Sequence, residues 1–300
     1  MKSTVLAIIN PKSGTREKKN IEDLLQKAFR TTQHPFQNLE VVWTKRPGHA
    51  TELAKACAQA KYLLCISVGG DGTMNETATG LLHSETALGM LPLGSGNGLA
   101  RHIGLSMNLE QAFIQLLTGN SVWMDSATAN GKPYFLSAGI GFEGVVANAF
   151  ASGNSRGFAT YISQSLKHLV SYKSLDLTWK ADGKTDSGTV FTLTLANGAQ
   201  YGNNAFIAPG ASVRDGQLNL AVLRKFDFWQ APGLIWRLMR NELKTDQYYE
   251  QMAVRQVEIS SDVPLLGHVD GEPMNFGNRL LVEIVPASIR IQVPIGKQWF

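Results

Sequence analysis

The first 118 residues repeat one pattern four times: a short apolar run, a polar or glycine-rich loop, then a stretch with helical spacing. The runs are 4–9 (TVLAII), 39–44 (LEVVWT), 62–68 (YLLCISV) and 88–93 (LGMLPL). The helical stretches are 17–29, 50–60, 73–82 and 109–117; the first carries Ile21, Leu24, Leu25 and Ala28 at helical spacing. A strand that is apolar throughout is covered on both faces, and a helix between successive strands makes them parallel. The pattern therefore predicts an α/β domain over 1–125 with a parallel sheet. In such a sheet the loops at the carboxyl ends of the strands form the ligand site.

Near Asp125 the pattern changes. Residues 134–138, 175–180, 190–196, 218–223, 254–260 and 280–285 read as strands joined by turns, interrupted by helical stretches at 145–170 and 229–243. This predicts a mostly antiparallel, β-sandwich-like second domain over 126–287. The segment 289–293 (IRIQV) alternates and is able to pair with either domain. Two domains suit 300 residues, and 44% hydrophobic with 17% charged residues is an ordinary globular balance. The net charge of +4 favours anionic ligands but is too small to argue for nucleic acid. Two cysteines, Cys57 and Cys65, make neither a disulfide framework nor a four-ligand zinc site and suit a reducing cytosol. The uncharged stretch 189–213 is broken by Asn197, Gly198, Gly202, Asn203, Asn204, Pro209 and Gly210, which excludes it as a membrane span. The first ten residues lack the long apolar stretch of a signal peptide. A cytoplasmic chain that meets a membrane only from its surface is expected.

Four polar loops follow the four strands. Gly69, Gly70, Asp71, Gly72, Thr73, Met74, Asn75 and Glu76 join a strand to a helix, where glycines let backbone N–H groups approach a phosphate and the helix start favours negative charge. Asn10, Pro11, Lys12, Ser13 and Gly14 follow the first strand, and Thr44 with Gly48, His49 and Ala50 the second. Residues 92–101, with Gly94, Ser95, Gly96, Asn97, Gly98 and Arg101, follow the fourth. Together they make a nucleotide-sized set. No GxxxxGK[ST] is present and no GxGxxG follows the first strand, so a P-loop enzyme or a Rossmann dehydrogenase is disfavoured.

These motifs, with Gly139, Ile140, Gly141, Phe142 and Glu143, then Asp215-Gly216, then Asp270-Gly271-Glu272, resemble the diacylglycerol-kinase catalytic-domain family, which includes bacterial lipid kinases, sphingosine kinases and ceramide kinases. The resemblance spans essentially the whole chain. NAD kinases share the first-domain fold and its glycine-aspartate motif; the later Asp-Gly-Glu favours the lipid-kinase branch. The resemblance implies an NAD-kinase-like α/β domain, a β-sandwich-like second domain, ATP in the cleft between them, and a chain end, 288–300, that returns to the first domain. It places Asn10, Ser13, Gly14, Thr44, residues 69–73, Asn75, Glu76, Gly94, Ser95, Gly96 and Asn97 at the nucleotide. It puts Asp71 in a charged network with Asp125, supporting catalytic Mg²⁺, with Arg101 beside the third glycine loop. It matches Asp215, with carbonyls near Ser212 and Gln217, to a second, structural metal site. It makes Glu272 the proton acceptor, with Asp270 beside it.

The implied activity is an ATP- and Mg²⁺-dependent lipid kinase acting at a membrane surface in phospholipid metabolism, with no nucleic-acid partner; a homodimer is compatible. Diacylglycerol leads as acceptor, and a sphingoid base or ceramide is next. A soluble, NAD-type acceptor and a non-catalytic nucleotide or lipid binder stay open. One position departs from the bacterial pattern: Gly98 stands where an Asp usually follows Asn97, closer to the sphingosine-kinase version. Read without the resemblance, Asp270 to Pro273 is a solvated turn. In an extended chain Asp270 and Glu272 would share a face; in a turn they need not. His49 reads as a turn or cap residue and His268 as a satisfied loop histidine within reach of the site. The aromatic segment 226–239 reads as a core-facing helix with Arg237 and Arg240 in water, a membrane-dipping patch being the other reading. Lys12, Arg16, Lys18 and Lys19 read as a solvated helix face.

Overall fold

A computed structural model describes residues 2–13, 20–152, 169, 171–202 and 204–296. Gly14, Arg16, Lys18 and Lys19, and the helix expected through 153–168, lie outside the described residues. The chain divides into two compact units, one formed by residues up to Met124 together with the segment from Ala287, the other by Asp125–Pro286.

In the first unit, strands β1 (Lys2–Ile9), β2 (Asn38–Trp43), β3 (Tyr62–Gly69) and β4 (Ala87–Pro92) alternate with helices α1 (Ile21–Thr31), α2 (His49–Gln59) and α3 (Asp71–Leu81). Two further helices, α4 (Gly98–His102) and α5 (Leu109–Thr118), follow. All strand pairs are parallel, in the order β2-β1-β3-β4. Val5, Ala7, Ile8 and Ile9, Leu64, Cys65, Ile66 and Val68, and Leu88 are fully buried, as the unbroken apolar runs require. Cys57 and Cys65 are buried thiols. The last strand of the chain joins β4 in parallel at Ile291 and Leu88. Among the described residues, no helix is long and apolar enough to cross a membrane.

The second unit begins within β5 (Asn120–Ala129) and continues with β6 (Lys132–Tyr134), β7 (Ser137–Gly141) and α6 (Phe142–Ser152). The strands β8 (Leu175–Ala181), β9 (Lys184–Ala196), β10 (Gln200–Gly202), β11 (Ala205–Phe206) and β12 (Leu218–Arg224) come next. Helix α7 (Ala231–Met239) precedes β13 (Tyr249–Val254), β14 (Gln256–Ser260), β15 (Leu266–Val269), β16 (Glu272–Asn275) and β17 (Arg279–Val293). Pairing is antiparallel: β9 is flanked by β7, β8 and β12, β8 leads on to β14, and β15 joins β7 to β16. Trp179, Tyr134, Leu193, Ile259 and Val282 sit in its core.

Several boundaries differ from the sequence reading. The strand expected at 134–138 is two, because Phe135, Leu136 and Ser137 give their N–H groups to the carboxylate of Asp270. The strand expected at 254–260 breaks at Arg255, whose N–H is taken by Asp182. The strands expected at 280–285 and 289–293 are one, β17, through Pro286 and the left-handed Ala287 (φ 45°). The helix expected at 229–243 is shorter, α7 stopping at Met239.

Candidate active site

The loops of the first unit are tied to one another by side chains. Asp71 opens α3, and its two carboxylate oxygens accept the N–H groups of Asn97 and Gly98, each at 3.0 Å. Asn97 holds a left-handed backbone (φ 51°) and closes its own loop, with Oδ1 accepting from Gly94 N–H at 2.9 Å and Nδ2 donating to Gly94 O at 2.7 Å. The two glycine loops touch: a Cβ on Gly94 would stand 2.6 Å from the Cα of Gly70 and 3.0 Å from Asn97 Oδ1. Only glycine permits that approach. Arg101 donates from Nε to Gly96 O at 3.1 Å, and Asn10 donates from Nδ2 to Thr73 Oγ1 at 2.9 Å. Ser13 donates its hydroxyl to Asn10 O, Thr44 follows β2 with its N–H on Ile9 O, and both side chains are mostly buried. Asn75 is buried within α3, and Ser95 is exposed.

Glu76 does something the sequence reading missed. Its carboxylate accepts the N–H groups of Gly48 at 2.9 Å and Ala50 at 3.2 Å, holding the start of α2. Gly98, the departure from the bacterial pattern, supplies a backbone donor to Asp71.

In the second unit, β15 and β16 form a hairpin with Val269 opposite Glu272, so Asp270 and Gly271 are its whole loop. Both are left-handed (φ 47° and 83°), the two-residue turn that an Asp-Gly pair favours. The two carboxylates therefore do not share a face. Asp270 is 9% exposed and accepts from Phe135 N–H (2.9 Å), Leu136 N–H (2.9 Å) and Ser137 N–H (3.1 Å). Glu272 is exposed, and Lys132 Nζ lies 3.2 Å from its Oε2. Sequence reasoning gave Lys132 no role, because it lies 140 positions away.

His268 is no loop residue: it lies in β15, with Nε2 2.7 Å from Glu143 Oε2. Glu143 Oε1 accepts hydroxyls from Thr192, Thr194 and Tyr201. Burial works against the Glu143 charge, but the bonds from His268, Thr194 and Tyr201 prevail and hold its carboxyl below the usual range. The glycine motif at 139–143 contained this signal in sequence, without showing what Glu143 meets.

Asp125 is buried in β5, with Oδ2 accepting Gly216 N–H at 2.7 Å. Asp215 takes Gln217 N–H on Oδ1 at 3.0 Å, and Ser212 Oγ takes Arg214 N–H at 3.3 Å. Desolvation first, and then the nearby charge of Asp125, raise the Asp215 carboxyl. A carboxylate raised by burial and by a neighbouring acidic group, on a loop of oxygen donors, fits a hard divalent cation such as Mg²⁺. No cluster of three or more His, Cys, Asp or Glu side chains arises among the described residues, so carbonyls or water would complete any such shell.

The aromatic segment overturns its core-facing reading. Trp229 is 86% and Trp236 61% exposed, with Ile235 and Met239 also outward; only Ala231 and Leu234 of α7 are buried. Period alone marked an amphipathic helix but not which face would meet the protein.

Parallel α/β loops bridged by an aspartate, followed by an antiparallel unit with an Asp-Gly-Glu hairpin, define a kinase class. Residues 4–129 match the diacylglycerol kinase catalytic domain, and 137–293 match the YegS C-terminal NAD kinase beta sandwich-like domain. The chain belongs to the family that joins these two domains, the lipid-kinase class of kinases. Its relatives include the "Probable lipid kinase YegS" of Escherichia fergusonii, 26% identical over 96% of this chain and 95% of that protein. The "Probable lipid kinase YegS-like" of Yersinia enterocolitica is 25% identical over 98% of both. In fold the chain is similar to a solved diacylglycerol kinase structure from Bacillus anthracis, with a TM-score of 0.76, 20% identity, and 98% of this chain and 97% of that one covered.

Proposed function

We propose that this protein transfers the γ-phosphoryl group of Mg·ATP to the hydroxyl of a membrane lipid, diacylglycerol first, giving phosphatidic acid and ADP. The observation that carries the reading is the division of labour in the 270–272 turn. Asp270 is spent on three backbone N–H groups, while Glu272 stands exposed on the rigid hairpin that this creates. Glu272 accepts the hydroxyl proton as the acceptor oxygen bonds to the γ-phosphorus and the bond to the β,γ-bridging oxygen breaks, releasing ADP. A carboxylate in that role contributes about 10²–10⁴-fold. Lys132 Nζ, 3.2 Å from its Oε2, is the side-chain partner that orients this carboxylate.

The first-unit loops support the donor side. The start of α3 and the glycine backbone of 69–72 and 94–98 receive the phosphates, where oriented N–H groups favour anions. Asn10, Ser13, Thr44 and Thr73 line the remainder of the nucleotide, and Asp71 with Asn97 keeps the two glycine loops in register. Glu76 holds the neighbouring helix and so acts on the nucleotide only indirectly. Mg²⁺, with Asp71 as the first unit's acidic residue at the phosphate loops, would neutralise phosphate charge during transfer. Asp215, with carbonyls near Ser212 and Gln217, would hold a second, structural cation.

The exposed Trp229, Ile235, Trp236 and Met239 support an acceptor met at an anionic bilayer, since tryptophans favour the headgroup level. Arg240 lies 5.2 Å over the Trp236 ring, and Lys225 and Lys244, on the segments flanking α7 in sequence, are exposed. A second reading, a sphingoid acceptor, is favoured by Gly98. The test is transfer of labelled γ-phosphate from Mg·ATP to diacylglycerol, monoacylglycerol, sphingosine and ceramide in mixed micelles, with NAD as soluble control. Label in phosphatidic acid supports the first reading and label confined to a sphingoid product the second. Transfer to NAD alone overturns both.

A further inference from the structure

A buried polar set in the second unit has no part in that reaction as written. Glu143 opens α6 one residue after Phe142, His268 lies in β15, Thr192 and Thr194 lie in β9, and Tyr201 lies in β10. The side chains of Glu143 and His268 are each 8% exposed and meet at 2.7 Å. Room for the pair is provided by Gly139, the register partner of His268. A Cβ there would stand 2.0 Å from Glu143 Oε2 and 3.0 Å from His268 Nε2.

The pair has a defined protonation pattern. Glu143 Oε2 faces Nε2 of His268, and a ring whose Nδ1 keeps a lone pair carries its proton on Nε2, so Nε2 donates to the carboxylate. On the other side of the ring, Nδ1 accepts the N–H of Gly271 at 3.2 Å, which requires a lone pair there. An imidazole that donates at Nε2 and accepts at Nδ1 is the neutral Nε2–H tautomer. Gly271 is the second residue of the two-residue turn, and Glu272 follows it directly. The turn is thus held twice, by Asp270 through the 135–137 backbone and by His268 through Gly271.

We propose that Glu143 and His268 are positioning residues for Glu272. Glu143 fixes the tautomer of His268, and the Nδ1 lone pair fixes the peptide from which Glu272 projects. Neither side chain touches the reacting atoms. The inference rests on the phosphoryl-transfer reading, because it concerns where the proton acceptor of that reaction stands.

Two substitutions separate the two ends of the ring. In H268N the side-chain oxygen takes the place of Nδ1 and still accepts from Gly271, while contact with Glu143 is lost. In H268Q the amide still reaches Glu143, while no acceptor faces Gly271. The full-length protein is assayed for transfer to diacylglycerol, melting is recorded for each variant, and the imidazole nitrogens are observed by ¹H–¹⁵N NMR. Expected for the wild type is a protonated Nε2 and a bare Nδ1 on His268, assigned by the signal lost in H268N. H268Q should lose about 10–100-fold in kcat, the scale of a small misplacement of a reacting group, with KM for ATP within about twofold. H268N should keep kcat within about threefold even where its melting temperature falls as far as that of H268Q. E143Q, which no longer enforces one tautomer, should show both tautomers and a reduced kcat. Equal loss of kcat in H268N and H268Q, no loss in either, or a protonated Nδ1 in the wild type overturns the proposal while leaving the kinase reading intact. A wild type that phosphorylates none of the lipids overturns the kinase reading itself, and the positioning role with it.

Discussion

Replacing Asp270 with Asn and Glu272 with Gln separates what two neighbouring carboxylates do. In D270N the amide nitrogen cannot accept, and its least costly placement puts it against Phe135 N–H, leaving that buried donor unsatisfied at about 1–3 kcal/mol. The bonds from Leu136 and Ser137 then run to a neutral oxygen instead of a charged one, a loss of about 1 kcal/mol each. The sum is about 3–5 kcal/mol. For a unit of this size each kcal/mol shifts melting by about 2–4 °C, so a fall of about 10 °C is expected. E272Q loses only an exposed contact with Lys132, and such pairs contribute about 0–1 kcal/mol. Its melting should stay within about 2 °C, while kcat falls by about 10²-fold or more. Scanning calorimetry and the labelled-phosphate assay on the same preparations read both quantities. A D270N protein as stable as wild type would refute the backbone clamp. An E272Q protein that folds, binds ATP and retains full transfer would refute the assignment of Glu272.

Three further outcomes follow from other contacts. In G94A the new methyl would press on Gly70 Cα, and overpacking of about 1–3 kcal/mol should appear as at least about fivefold weaker ATP binding by titration calorimetry. W229A and W236A should each weaken binding to anionic vesicles by about tenfold in a sedimentation assay, while leaving melting unchanged; undiminished binding would remove α7 as the bilayer face. Burial lowers the His102 imidazole to about 4, and its Nε2 finds no hydrogen-bond partner among the described residues. Because the unfolded chain takes up this proton near 6.5 and the folded one near 4, the associated stability is complete above pH 6.5. It is lost as pH falls between the two values, by about 3 kcal/mol in all. Urea unfolding at pH 7 and pH 4.5 should therefore show a smaller acid loss in H102L than in wild type.

The first unit was the more legible half because its information is local. Each apolar run announces a strand covered on both faces, and each glycine loop stands next to the strand it ends, so β1 to β4 and the Asp71 loop could be placed within a residue or two. The Asp-Gly turn at 270–271 was legible for the same reason. Boundaries failed where a distant group intervened: Asp270 splits the strand near 135, and Asp182 stops β13 at Val254.

Sequence by itself determined the parallel first unit, the antiparallel second one, and the acidic and glycine residues from which the site is drawn. Hydrophobic period and turn chemistry act over a few residues and are written there. Tertiary structure alone decided which of those groups are spent on the fold and which remain for chemistry. Asp270 is consumed by N–H groups more than 130 positions away, and Glu76 by the start of α2. Glu143 is consumed by a histidine 125 positions away, and the tryptophans near α7 are turned outward. Such pairings depend on which surfaces meet after the chain has closed, and no local pattern encodes that.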